Sequence, residues 1–247
     1  MGYHGYADDI QVYVKCDPSS QDSVDQAKCK LADAMKEVHA WMTLNRLKIN
    51  QDKTELVVFA FKNHHHLLQN FTLTLHDNTE LKPSPKLRTI GVVFDIHMLL
   101  DDHVSNVVRT VKFHIRNLSR IRKYLDESTA HAAVRAIVLS RLDYCNSLLY
   151  GAKTKNIHRL QLLQNHSARL IFHQPKSTHT TPLLNTLHWL PIQQRLQFKT
   201  DTLVFKSLQN LSPSYLTDLI HVTHSSYNLR SNNRTVIHIP RCRTKAG

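Results

Sequence analysis

Apolar and polar residues in this chain alternate with a period of two near its start and later repeat at three- and four-residue steps. Ile10, Val12 and Val14 alternate with Gln11, Tyr13 and Lys15, the signature of a half-buried strand. The short run Gly2-Tyr3-His4-Gly5 before them is strand-compatible. Together they predict a β-hairpin over residues 3–15 with Asp8 and Asp9 at its tip. Asp17-Pro18-Ser19-Ser20 is a turn and helix-start signal. Val24, Ala27, Leu31, Met35, Val38 and Met42 then predict an amphipathic helix over 20–45, packed across the back of the sheet that carries the two acids.

The middle of the chain returns to short β patterns. Leu56-Val57-Val58-Phe59 is a β-rich run, and Phe71–Leu75 predicts a strand that turns at His76-Asp77-Asn78 and returns through Leu81. Pro83 and Pro85 break the chain. Ile90–Asp95 reads as a further strand, with Gly91 marking a bulge or a close backbone approach.

From Asp101 helical periods take over. Val104, Val107, Val111, Ile115, Leu118 and Ile121 line one face of residues 101–124. Arg109, Lys112, Arg116, Arg120 and Lys123 share the opposite face. Further helices are predicted over 127–149, with Val134, Ile137 and Leu142, and over 154–173, with Ile157, Leu160, Leu163 and Leu170. Pro175 and Pro182 bracket a loop, Pro191 opens a helix to about Leu208, and Ser212-Pro213 introduces a last short one. From about 222 the chain is polar and predicted to be extended or disordered by itself. The fold class is α+β: a strand-and-helix part over 1–100, a basic helical part over 101–173, a helical segment over 174–220 and a polar tail over 221–247.

Charge sharpens the division. The whole chain carries +13, but residues 1–60 hold 7 basic and 9 acidic side chains, while residues 101–172 hold 12 basic and 5 acidic ones. Cations would bind the first part; the second suits a polyanion such as nucleic acid. A single-signed stripe has a plain reading as a solvated outer face. Like charges at i,i+4 cost helix stability, however, which favours an anionic partner. No GxGxxG or P-loop pattern occurs, and no HExxH or Cys/His ligand spacing. His64-His65-His66 reads as a solvated loop. The four scattered cysteines read as reduced thiols of an intracellular protein, nuclear or cytoplasmic, and no apolar run is long enough to span a membrane.

The acid pair at the hairpin tip also has two readings. Asp is common in turns because its side chain bonds nearby backbone. Adjacent carboxylates also suit two-metal phosphoryl transfer, in which Mg²⁺ ions about 3.5–4 Å apart clamp the attacking and leaving oxygens. Tyr6-Ala7-Asp8-Asp9 resembles motif C of reverse transcriptases. Trp41-Met42 with Leu44–Glu55 resembles motif D of the same enzymes, and Ile90–Asp95 is similar to their primer-grip region, motif E. Ser140–Gly151 and Leu187–Pro191 look like runs typical of the non-LTR (LINE-type) retrotransposon enzymes. The resemblance covers almost the whole chain.

It implies a partial polymerase palm (β-hairpin, helix and small antiparallel sheet) followed by an all-helical thumb and C-terminal helices. Asp8 and Asp9 would hold catalytic Mg²⁺, Tyr6 would lie beside the primer terminus, and Lys53 would protonate the leaving diphosphate. Gly91 would approach the primer. Arg109, Lys112, Arg116, Arg120 and Lys123 would contact the phosphates of an RNA template or RNA–DNA hybrid. Deoxynucleoside triphosphates would be substrates of the intact enzyme. The family's upstream metal-binding Asp and its fingers have no room in the five residues before Tyr6, so the isolated chain is expected to be inactive. A non-catalytic, sequence-tolerant nucleic-acid-binding module and a relic open reading frame are the alternatives, and oligomeric state stays open.

Overall fold

The alternation at the start does fold as a hairpin. In the computed structural model, which describes residues 1–61, 63–64, 68, 71–75, 79–223 and 236–238, β1 (Gly2–Tyr6) pairs antiparallel with β2 (Asp9–Tyr13), Tyr6 opposite Asp9. Ala7 and Asp8 form the two-residue turn, and Ala7 takes a left-handed φ of 52°. The expected half-burial holds for Val12 but not for Ile10, which is exposed along with Tyr3, Tyr6 and Tyr13. A two-stranded ribbon has no neighbouring strand to cover its outer face.

Helix α1 (Gln21–Leu44) starts where Ser20 caps it by accepting from the Ser23 N–H. Val24, Ala27 and Ala34 are buried, and Val24 forms a core with Leu68 and Phe71, flanked by Leu31, Leu56 and Val58. The helix packs on β2 and on β3 (Leu73–Thr74). Its last turn is less covered: Trp41 and Leu44 are exposed. β3 pairs with β4 (Glu80–Leu81) as the pattern predicted; the intervening His76-Asp77-Asn78 turn lies outside the described residues, as do His65 and His66.

Two β expectations change. Residues 56–59 do not form a strand. Leu56 makes an isolated parallel bridge with Pro83 and accepts the Ser84 N–H at 2.8 Å. Pro83 has no N–H to extend such a ladder. The second change is a hairpin, β5 (Lys86–Thr89) with β6 (Val92–Asp95), where a single strand over Ile90–Asp95 was expected. Ile90 and Gly91 are its turn, with φ of 44° and 76°. Positive φ at both central residues is the type I′ arrangement, which favours Asn-Gly. A period-two pattern cannot reveal a turn whose first residue is isoleucine, a β-branched residue that rarely enters this region. Ile90→Asn is expected to raise stability by about 1 kcal/mol, the approximate cost of a left-handed non-glycine residue. Urea unfolding reads this directly; a lowered midpoint would mean that Ile90 packing outweighs the backbone strain.

Asp95 ends this hairpin by accepting the N–H groups of His97 and Leu99 at Oδ1 and of Leu100 at Oδ2, at 2.7 to 3.1 Å. That turn delivers the chain into α2 (Asp101–Ile121). The chain divides into two compact units, residues 1–103 and 104–247.

In the second unit α2 buries Val104, Val108, Val111, Ile115 and Leu118. Val108 takes the place expected of Val107, and Ile121 is exposed. The expected helix 127–149 is α3 (Glu127–Val134), a π-helical turn (Arg135–Leu139) and α4 (Ser140–Asp143). The wider turn brings the consecutive Val138 and Leu139 both into the core. Helix ends at Asp143, because Tyr144 is extended and Cys145 left-handed, and a 3₁₀ turn follows over Asn146–Leu149. Next come α5 (Thr154–Ile171), α6 (Thr180–Thr186), α7 (Ile192–Leu208) and α8 (Ser214–Thr217). Pro182, expected in a loop, sits in the first turn of α6, where the missing N–H costs no bond.

Buried polar groups bind these helices together. Gln164, fully buried, donates to the Leu190 carbonyl at 2.9 Å, and Gln161 accepts the Ile192 N–H at 2.8 Å. Arg195 grips Asp143 with both Nε and Nη2. The two runs Ser140–Gly151 and Leu187–Pro191 are thus tied to one helical core. In the tail, β7 (Val222–Thr223) pairs with β8 (Val236–Ile237). Of the extended and disordered alternatives for the tail, these residues are extended, and 224–235 and 239–247 lie outside the described ones.

Candidate functional site

The two carboxylates reach solvent because the hairpin turn is only two residues long. Asp8 lies in the turn and Asp9 opens β2, both exposed. Tyr6, paired across from Asp9, is exposed as well. Among the described residues, no group of three or more Asp, Glu, His or Cys side chains gathers into a metal-sized cluster. The donor chemistry suits Mg²⁺, which takes hard oxygen ligands and is commonly held by one or two carboxylates plus water and phosphate oxygens. Two adjacent carboxylates fit one such ion. A two-ion clamp needs more ligands than this turn supplies.

Gln11, two residues beyond Asp9, donates from Nε2 to Thr89 Oγ1 at 2.6 Å. Thr89 is the residue before the Ile90-Gly91 turn. The acid-bearing hairpin and the Gly91 hairpin are separate two-stranded sheets of one unit, linked by this side-chain bond. Lys53 ends a 3₁₀ turn, Gln51–Lys53, built on Asn50, whose carbonyl accepts both the Lys53 N–H and the Thr54 hydroxyl. Its side chain is exposed and forms no ion pair with Asp8 or Asp9. One hydrogen bond thus links the strand that follows Asp9 to the strand that precedes Ile90-Gly91, and Lys53 lies on a separate turn of the same unit.

The basic stripe belongs to the second unit. Arg109, Lys112, Arg116 and Arg120 are exposed on α2, and Lys123 continues the face on the 3₁₀ turn Arg122–Tyr124. None of the five forms an ion pair among the described residues, and the ammonium of Lys123 stands 4.8 Å above the Tyr124 ring. The face therefore keeps its single sign. Phe113, 60% exposed, falls in the row Arg109–Phe113–Arg116–Arg120. An exposed ring among cations can take the face of an unpaired base. Charge patterning passed over it, although a spacing of four from Arg109 and three from Arg116 places it on the same face.

Arg122, one residue from the stripe's end, turns the other way. Its Nε donates to the Leu170 carbonyl at 2.9 Å, Nη2 to Ile171 at 2.5 Å and Nη1 to Leu125 at 2.6 Å. Two of those acceptors are final carbonyls of α5, where a cation opposes the helix dipole. It is a structural residue that charge patterning alone cannot separate from its neighbours.

Among the described residues no helix is long and apolar enough to cross a membrane. No protein-family model, curated protein or solved structure matches this chain.

Proposed function

We propose that the chain is the palm-and-thumb part of an RNA-directed DNA polymerase of the LINE type, and that alone it binds nucleic acid without extending a primer. The observation that carries this reading is the hydrogen bond from Gln11 to Thr89, which fastens the Asp8-Asp9 hairpin to the Ile90-Gly91 hairpin. A primer terminus must be held by its backbone beside the catalytic acids, so the two elements that do so have to be neighbours.

In this reading Asp8 and Asp9 hold Mg²⁺, which when bound offsets charge developing on the phosphoryl oxygens. Tyr6 and the Gly91 turn flank the primer strand. Lys53 carries the proton that the departing diphosphate takes up. The α2 stripe contacts backbone phosphates, which position a duplex without reading its sequence. The loss of activity follows from ligand count: an in-line transfer held by two ions needs acids beyond the two on this turn.

A second reading, a nucleic-acid-binding module without polymerase ancestry, is favoured by the stripe taken alone. Primer extension on poly(rA)/oligo(dT) with Mg²⁺ should give no product, while hybrid binding should be strong at low salt and fall steeply as salt rises. Extension that disappears in Asp8→Ala would overturn the inactivity, and absent or salt-insensitive binding would sink both readings. Transcript sequence ahead of Met1 separates them: an in-frame strand with a further Asp favours the polymerase.

A further inference from the structure

Helix α5 carries a second cationic face that the nucleic-acid reading does not use. His166 and Arg169 lie three residues apart on α5, and with His173 just past its end, Arg122, Gln174 and Lys176 they line a cavity of about 480 Å³ in the second unit. None of its lining residues is acidic. Arg122 has Asp126 as a neighbouring opposite charge, but Arg169 and Lys176 face this space with no acid in its lining, a repulsion that an anion would relieve.

The donors are arranged to meet such an anion. Arg169 is anchored by its Nε, which donates to the Thr178 carbonyl at 2.9 Å. That bond leaves its two terminal nitrogens for a ligand, the fork that suits phosphate oxygens. Lys176 is exposed and forms no ion pair among the described residues. Arg122 spends three donors on carbonyls and contributes charge. The chain folds back here through His173, whose φ of 52° is left-handed where glycine is usual. Gln174 fixes the return, its N–H donating to the Arg169 carbonyl at 2.9 Å. Although His166 is exposed as a residue, partial burial of its ring, then the charges of Lys176 and Arg169, hold its pKa below the ordinary imidazole value. The field of both cations therefore reaches the space where the ligand would sit.

We propose that this cavity is a phosphate-binding site, in which Arg169 and Lys176 hold the anion and His166 and His173 border it. Its ligand is a phosphate group, whether free or carried on a nucleic-acid backbone, and the site stands independently of the polymerase reading.

The test follows the ring signals of His166 and His173 by NMR in the full chain, assigned with His166→Gln and His173→Gln, during titration at low salt. One arm uses inorganic phosphate and the other an oligothymidylate. Saturable shifts of both rings with either probe, weakened about tenfold in Lys176→Gln and also weakened in Arg169→Lys, are the expected result. A response to inorganic phosphate assigns a free anion, and a response to the oligonucleotide alone assigns a backbone phosphate. Circular dichroism checks that each variant keeps its helices. Silent rings with both probes, or equal affinity in the wild type and in both cavity variants, would overturn the site.

Discussion

Replacing both Arg116 and Arg120 by glutamate is expected to weaken binding to an RNA–DNA hybrid roughly a hundredfold at low salt, about tenfold for each phosphate that is no longer neutralised. The salt dependence should flatten at the same time. Each phosphate neutralised contributes a slope of about −0.9 in log K against log salt on a B-form duplex, so the double variant should lose close to two units. Fold should not change, because both side chains are exposed and the buried row Val104, Val108, Val111, Ile115 and Leu118 lies on the other face. The same variant with unchanged affinity would make the stripe a solvated outer face. Asp8→Ala should bind as the wild type does, since a carboxylate at the hairpin tip neutralises no phosphate. Filter binding at two salt concentrations is sufficient to read all three outcomes.

Arg122→Ala, two positions from Arg120, should fail in a different way. Two charge-assisted bonds from that guanidinium reach the end of α5, and a third holds the Leu125 carbonyl just past Arg122 itself. Their removal leaves the Leu170 and Ile171 carbonyls without that donor at a helix C-terminus, and we expect a loss of about 3 kcal/mol. For a chain of this size that is on the order of 10 °C in Tm. Arg122→Lys keeps the charge but cannot reach three carbonyls at once, so it should recover only a minor part of the loss. Arg120→Ala in the same assay should move Tm little, as expected of an exposed side chain without a partner. If Arg122→Ala unfolds at the wild-type temperature, apolar packing and the Arg159–Ser105 hydrogen bonds suffice to hold α2 against α5.

The contrast between these two arginines marks the limit of periodicity as a guide. A period of 3.6 tells which face of a helix is apolar, and it assigned Arg109, Lys112, Arg116 and Arg120 to the outer face of α2 because five buried aliphatic residues claim the inner one. It is silent on Arg122, two of whose partners lie almost fifty residues away. The same holds for Asp143 and Arg195, in two runs that look unrelated in sequence yet form one ion pair. Gly91 illustrates a further limit. Its neighbour Ile90 carries a strand former's side chain into a turn, so local preference indicated a strand where the paired partner, Lys86–Thr89, enforced a hairpin.

By itself the sequence determined the acid-tipped hairpin, a helix over 20–45 with its start signal at Asp17–Ser20, and the single-signed face of α2. Each of these follows from residues within a few positions of one another, through strand alternation, helix period and capping chemistry. Only the tertiary structure decided that Gln11 bonds Thr89, that Arg122 closes α5, and that His166, Arg169 and Lys176 line one cavity. Those features depend on which groups meet after distant segments pack. Packing is driven by the non-directional burial of apolar surface, and the local pattern records that a face is buried without recording what it is buried against.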